Sequence, residues 1–129
     1  AITMHASFVA RGFSGRVDHL SGLIHAAIKH KGFALVDVLQ PCVSFNKVNT
    51  FGWYNQRCYE LGDDYDPTDR KAAFLKAEEW GDAIPIGTIY KDGDQRPTYE
   101  DYFPFLQKGP LAKQSVDVNK MSAILQGYR

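Results

Sequence analysis

The 129-residue chain is most informative first in what it lacks. It has two cysteines, Cys42 and Cys58, too few for a disulfide scaffold, so a reducing compartment is expected. No apolar run approaches the roughly 20 residues of a membrane-spanning helix, and no basic flank with an apolar stretch opens the chain as a secretion signal. The reading is a soluble, cytoplasmic protein. Fifteen Lys and Arg balance fifteen Asp and Glu, leaving no basic field to hold a phosphate backbone. A nucleic-acid role loses its support. There is no internal repeat, no low-complexity tract, no Gly-x-Ser-x-Gly elbow and no histidine pair at i,i+4. At 44% hydrophobic residues, the length suits one compact core.

What is there begins abruptly. Ser7-Phe8-Val9-Ala10 reads as a strand already in progress at the very start, which suggests a missing upstream portion. After Gly12-Phe13-Ser14-Gly15, the residues Val17, Leu20, Ile24, Ala27 and Ile28 recur at spacings of three and four, predicting a helix with Ser14 as N-cap and Gly32 as its stop. Phe33-Ala34-Leu35-Val36-Asp37-Val38-Leu39 is almost continuously apolar, the pattern of a parallel strand covered on both faces. Together these make a βαβ unit. Only one other good strand candidate follows, Ile86-Gly87-Thr88-Ile89-Tyr90, so three strands form a thin sheet. The expectation is therefore a part of a larger doubly wound sheet, or an open face packed on another chain.

Helical patterning resumes beyond Asn46. Phe51, Tyr54, Cys58 and Leu61 fall on one face. Asp66-Pro67-Thr68-Asp69 predicts a helix start with Asp66 as cap and Pro67 in the first turn, leading into Ala73, Phe74, Ala77 and Trp80 and ending at Gly81. From Lys91 the texture loosens around Pro97, Pro104 and Pro110, yet Tyr99, Tyr102, Phe103 and Phe105 are too aromatic for a solvated tail. A short helix carrying Val118, Met121 and Leu125 completes an arm expected over the core or a neighbouring subunit. Residues 1–90 are thus read as an α/β domain and 91–129 as a C-terminal arm.

The chemically interesting place is Leu39-Gln40-Pro41-Cys42-Val43-Ser44-Phe45-Asn46. Cys42 lies just past the carboxyl end of the apolar strand, where ligands bind in open parallel sheets. Pro41 stiffens the loop that presents it. For a lone cysteine with no other ligands in view, the pattern itself favours a buried, hydrophobe-like thiol and does not decide between the two. Cys58 reads as packing. His5, His19, His25 and His30 read as surface residues, and Trp53, Tyr54, Tyr59 and Tyr65 as core and interface aromatics. Lys29, Lys31 and Lys47 border the Cys42 region in sequence and are candidates for attracting an acidic protein partner or the phosphates of a ligand.

Phe8-Val9-Ala10-Arg11-Gly12-Phe13-Ser14-Gly15, and His30-Lys31-Gly32-Phe33 running on to Gln40-Pro41-Cys42-Val43-Ser44-Phe45-Asn46, resemble the carboxyl-terminal part of the β subunit of 2-oxoacid:ferredoxin oxidoreductases, the pyruvate synthase group. Asp66-Pro67-Thr68-Asp69-Arg70, Trp80-Gly81-Asp82 and Ile84-Pro85-Ile86-Gly87 continue the likeness in order, and the tail from Lys91 is similar only loosely. Arg16 departs from it, standing where an acidic residue is expected at the first helix start.

The resemblance implies the C-terminal part of a doubly wound, thiamine-diphosphate-binding α/β fold. It implies an enzyme that works with thiamine diphosphate, Mg²⁺, coenzyme A and iron–sulfur clusters, converting a 2-oxoacid into acyl-CoA and CO₂ while reducing ferredoxin. The implied partners are an α subunit with γ and δ subunits or fused equivalents, and ferredoxin. Residue by residue, it makes Cys42 one of four thiolate ligands of a four-iron four-sulfur cluster, the other three lying earlier in the subunit. The Gly-Asp-Gly thiamine diphosphate motif and the early Cys-x-x-Cys pair have no counterpart in this sequence, and Asp92-Gly93-Asp94 is read as a turn. The chain is accordingly expected to be a fragment, and alone to hold neither cluster nor activity. A second reading stays open: a non-catalytic α/β interaction module with an inert Cys42.

Overall fold

The computed structural model describes all residues except Gln95, Val116 and Arg129. The chain divides into two units, Ala1–Thr98 and Tyr99–Arg129. The first is a mixed α/β unit containing strands β1 (Phe8–Phe13), β2 (Ala34–Leu39), β3 (Cys58–Glu60) and β4 (Ile84–Lys91) and helices α1 (Val17–Lys29), α2 (Phe51–Arg57) and α3 (Arg70–Glu78). The second holds three short 3₁₀ turns and helix α4 (Val118–Gln126).

The strands form one sheet in the order β2-β1-β4-β3. β1 and β2 run parallel with Phe8 opposite Ala34 and Phe13 opposite Leu39, joined by α1 as the βαβ pattern requires. β4 runs antiparallel to β1 and parallel to β3, so the sheet is mixed, not purely parallel. The fourth strand, β3, is not foreshadowed by the sequence pattern: its residues continue the helical spacing of Phe51 and Tyr54, but α2 ends at Arg57 and Cys58 already lies in extended backbone. Three residues are too few for strand periodicity to register against a preceding helix.

The core is in three parts. Leu23 and Ala27 of α1 cover Phe8, Ala10, Ala34 and Val36 on one side of the sheet. Ala73 and Ala77 of α3, with Ile2 and Ala6, cover Val9 and Ile89 on the other. Trp53 and Tyr54 of α2 close over Phe13, Leu39, Cys58, Ile84 and Ile86. α1 approaches β1 so closely that a Cβ on Gly12 would stand 2.6 Å from a Leu20 methyl, which explains a glycine inside a strand. Gly87 in β4 has φ +141°, a conformation other residues rarely adopt, with Leu61 packed against it.

Helix boundaries correct three expectations. Ser14 is not the N-cap of α1; Arg16 occupies that position without a side-chain cap and instead donates to Glu60 (2.9 Å) and to the Cys58 carbonyl (2.7 Å), tying the helix start to β3. α1 stops at His30, before Gly32. Asp66 does not cap α3: its carboxylate accepts from the Thr68 amide and hydroxyl in a local turn, and Asp69 caps the helix by accepting from the Lys71 and Ala72 amides. β2, expected to be covered on both faces, is an edge strand of this chain, with Val38 40% exposed and Phe33 before it 64% exposed.

Candidate functional site

The loop after β2 is held by its own polar groups. Leu39 and Pro41 are buried and anchor its start. The Asn46 amide donates to the Cys42 carbonyl (2.9 Å), and the Asn46 side-chain oxygen accepts from the amides of Val48 (2.9 Å) and Asn49 (3.0 Å). Lys47 donates through Nζ to the Val43 carbonyl, and Thr50 caps α2 by accepting from the Trp53 amide. An asparagine satisfying two successive amides fixes a turn that would otherwise depend on water.

This scaffold presents Cys42 to solvent as a free thiol. The pattern-based preference for a buried packing cysteine is therefore corrected: Leu39 joins the core at this end of the sheet, and Cys42, three residues on, lies outside it. Val43 (58% exposed) and Phe45 (93% exposed) flank it. Cys58 is the contrasting case, buried against Phe13, Ile84 and Ile86, with burial pushing its thiol pKa up despite the nearby Arg16 and Arg11 charges. A neutral buried thiol is a packing group, as expected, though on a strand and not a helix.

Among the described residues, no group of three or more His, Cys, Asp or Glu side chains could hold a metal ion. As a donor set, Cys42 is one soft sulfur at an exposed loop. That chemistry fits one corner of an iron–sulfur cluster and cannot hold a whole one.

The other candidates sort by place. Lys29 and Lys31 do not border Cys42; with His30, Lys91 and Asp92 they line a cavity of about 470 Å³ at the opposite end of β2. Six strand residues separate those ends by roughly 20 Å. Lys47 alone lies in the Cys42 loop. His30 is no plain surface residue: its Nε2 is 2.9 Å from Ser7 Oγ, which donates to the Phe33 carbonyl (3.0 Å), and its ring packs on Phe8. Burial first, then Lys91, lowers its pKa. Tyr59 and Tyr65 are half-buried outside the core clusters and donate to Glu79 (2.5 Å) and to the Ile89 carbonyl (2.6 Å).

Sequence reasoning passed over Arg11. Its Nε donates to Asp37 Oδ2 (2.8 Å), directly across the β1–β2 pair, and its Nη2 to the Ala77 carbonyl (3.3 Å). A charged residue amid Phe8-Val9-Ala10 was the available signal.

Comparisons with known proteins bear on the same segments. Residues 42–108 match the family model for the C-terminal part of the pyruvate ferredoxin oxidoreductase beta subunit, and the match begins at Cys42. The 2-oxoacid:ferredoxin oxidoreductase subunit beta of a Sulfolobus species is 46% identical across 78% of this chain and 36% of its own length. Subunit beta of 2-oxoacid:ferredoxin oxidoreductase 1 from Aeropyrum pernix is also 46% identical, across 78% and 35%. A solved 2-oxoglutarate:ferredoxin oxidoreductase from Magnetococcus marinus, with 2-oxoglutarate, coenzyme A and succinyl-CoA bound, superposes with a TM-score of 0.72 at 30% identity, covering 95% of this chain and 42% of that one. The chain spans about a third of the length of the curated relatives it matches. None of the described helices is long and apolar enough to cross a membrane. The matched blocks, their order and the fold agree: the chain belongs to the 2-oxoacid:ferredoxin oxidoreductase β-subunit family and corresponds to its C-terminal portion.

Proposed function

We propose that this chain works within a thiamine-dependent oxidoreductase that converts a 2-oxoacid and coenzyme A into acyl-CoA and CO₂ and delivers the electrons to ferredoxin, and that Cys42 contributes one thiolate to an iron–sulfur cluster. The observation that supports this reading is an exposed, uncommitted thiol on a self-braced loop at the carboxyl end of a parallel strand. When bound, such a cluster accepts and passes on electrons singly. The chain's own part is positional. Pro41 and Leu39 fix where the loop leaves the sheet, and Asn46 fixes its return, so the sulfur is pre-placed for a ligand set completed by other polypeptide.

Replacing Cys42 by Ala in the complete subunit, assembled with its partners, tests the proposal. The expected result is loss of the cluster's visible absorbance and electron paramagnetic signal. Ferredoxin reduction driven by a 2-oxoacid should fall by more than the roughly 10- to 100-fold typical of losing an outer partner of a ligand. Retention of both signals would favour the inert interaction module. The purified 129-residue chain is expected to contain no stoichiometric iron or sulfide by elemental analysis, because one thiolate cannot hold a cluster; finding one per chain overturns the ligand assignment.

A further inference from the structure

The loop that carries Cys42 contains one helical turn. The Cys42 carbonyl accepts from the Asn46 amide (2.9 Å), the bond four residues back that closes such a turn, and Asn46 Oδ1 accepts in its own right from the Val48 and Asn49 amides. Residues three apart on a helical turn are neighbours on one face, with Cβ atoms about 5–6 Å apart, whereas adjacent residues do not face each other. Phe45 therefore shares a face with Cys42, and Val43 does not. At 93% exposure, Phe45 is also the most exposed large apolar side chain among the described residues, and it belongs to none of the chain's core clusters. Charge is kept away from the same place. Lys47 is the only charged residue between Gln40 and Thr50, and its Nζ donates to the Val43 carbonyl. The loop thus sets an aromatic ring, not a cation, beside its sulfur.

We propose that Phe45 is the apolar cover of the iron–sulfur cluster at Cys42, shutting water out on that side and so holding the cluster's reduction potential low. The inference rests on the cluster-ligand reading of Cys42 and adds to it a positioning residue that bonds no iron. Reduction brings one electron, and with it one negative charge, to a centre already anionic through its thiolates; the electron comes from the 2-oxoacid and leaves for ferredoxin, with no bond made or broken at the protein. Water stabilises the more highly charged, reduced form, and an apolar neighbour withholds that stabilisation. A phenyl ring on this side therefore makes the reduced cluster the stronger donor, which is the direction that passing electrons to ferredoxin requires.

The test uses the complete subunit in its complex and follows the cluster's electron paramagnetic signal through a redox titration. Phe45→Ser opens the covered side, Phe45→Leu keeps an apolar cover, and Val43→Ser makes the same polar change on a residue that faces elsewhere. Phe45→Ser should raise the midpoint potential by about 59 mV, which is about tenfold more reduced cluster at a fixed applied potential for a one-electron couple. Phe45→Leu and Val43→Ser should each change that ratio by less than about twofold. A Phe45→Ser shift no larger than that of Val43→Ser or of Phe45→Leu, or a shift to lower potential, overturns the inference. So does a Phe45→Ser subunit that loads no cluster, because Phe45 is then a requirement of assembly, and so does an unchanged potential with loss of a partner subunit on size-exclusion chromatography, because Phe45 is then an intersubunit anchor. Cys42→Ala separates the two readings. A cluster signal that survives Cys42→Ala defeats the ligand assignment itself, whereas an unmoved potential in Phe45→Ser, in a subunit that Cys42→Ala strips of its cluster, defeats only the cover.

Discussion

Strands β2 and β4 are written alike and treated differently. Ala34–Leu39 and Ile84–Lys91 are both mainly apolar, yet β4 lies between β1 and β3 with Ile84 and Ile86 fully buried, while β2 is an edge with Val38 substantially exposed. An apolar run measures how much cover a strand requires. It does not say which chain supplies that cover. The largest expected effect probes this contrast directly. In the 129-residue chain, Ile86→Ala should lower the unfolding free energy by about 3 kcal/mol, the usual result of emptying a tight core position. Leu35→Ala, at a half-buried site, should lower it by about 1 kcal/mol. Denaturant titration measures both. In the complete subunit the Leu35 value should approach the Ile86 value, and equal losses already in the short chain would erase the distinction between the two strands.

The same contrast explains what could be read in the sequence. The βαβ unit was legible because apolar residues recur at helical spacing between two apolar strands, although the expected face of Val17, Leu20, Ile24, Ala27 and Ile28 is not the one that packs: Val17, Ile24 and Ile28 are exposed and Leu23 is buried. β3 was not, since its three residues are specified by pairing with Ile84–Ile86, about two dozen positions away. The antiparallel direction of β4 was hidden for the same reason. At the site, the position of Cys42 was legible from the strand end and from family likeness. Its exposure was not, because that depends on how Asn46 folds the loop back on itself beyond the strand end. Ser14 and Asp66 illustrate a narrower failure: several residues near a helix start have capping chemistry, and backbone geometry selects one.

A middle-sized effect is expected from the helix that roofs β4. Asp69 accepts from two amides at the start of α3, which places Ala73 on the core beside Ile89. Asp69→Ala should lower stability by about 1 kcal/mol. By hydrogen exchange the loss should appear in α3 and β4 before β2. Uniform loss of protection across all strands would show that the two sides of the sheet open as one unit.

The smallest effect acts on β2 from its other end. Ser7 Oγ joins His30 to the Phe33 carbonyl, so the imidazole helps hold the chain where it enters the strand. Burial and the charges of Lys91 and Arg96, outweighing Asp92, keep the His30 pKa below the ordinary 6.5. The unfolded chain therefore takes up this proton first. Between 6.5 and the lower folded value the unfolded state binds more protons, so stability rises with pH across that window. The His30 contribution is complete above 6.5 and is lost as pH falls through the folded pKa. His30→Gln retains a side chain able to bond Ser7 but cannot titrate, and should flatten this segment of the stability–pH curve. Amide exchange in the intact protein should quicken in β2 as pH is lowered through the window, after correction for the intrinsic rate, while β4 holds. An unchanged slope in the Gln variant would mean that the proton is taken up elsewhere, since Asp92 and Glu79, each held below its ordinary carboxyl pKa by Arg96 and by Lys76 with Tyr59, act only at more acid pH.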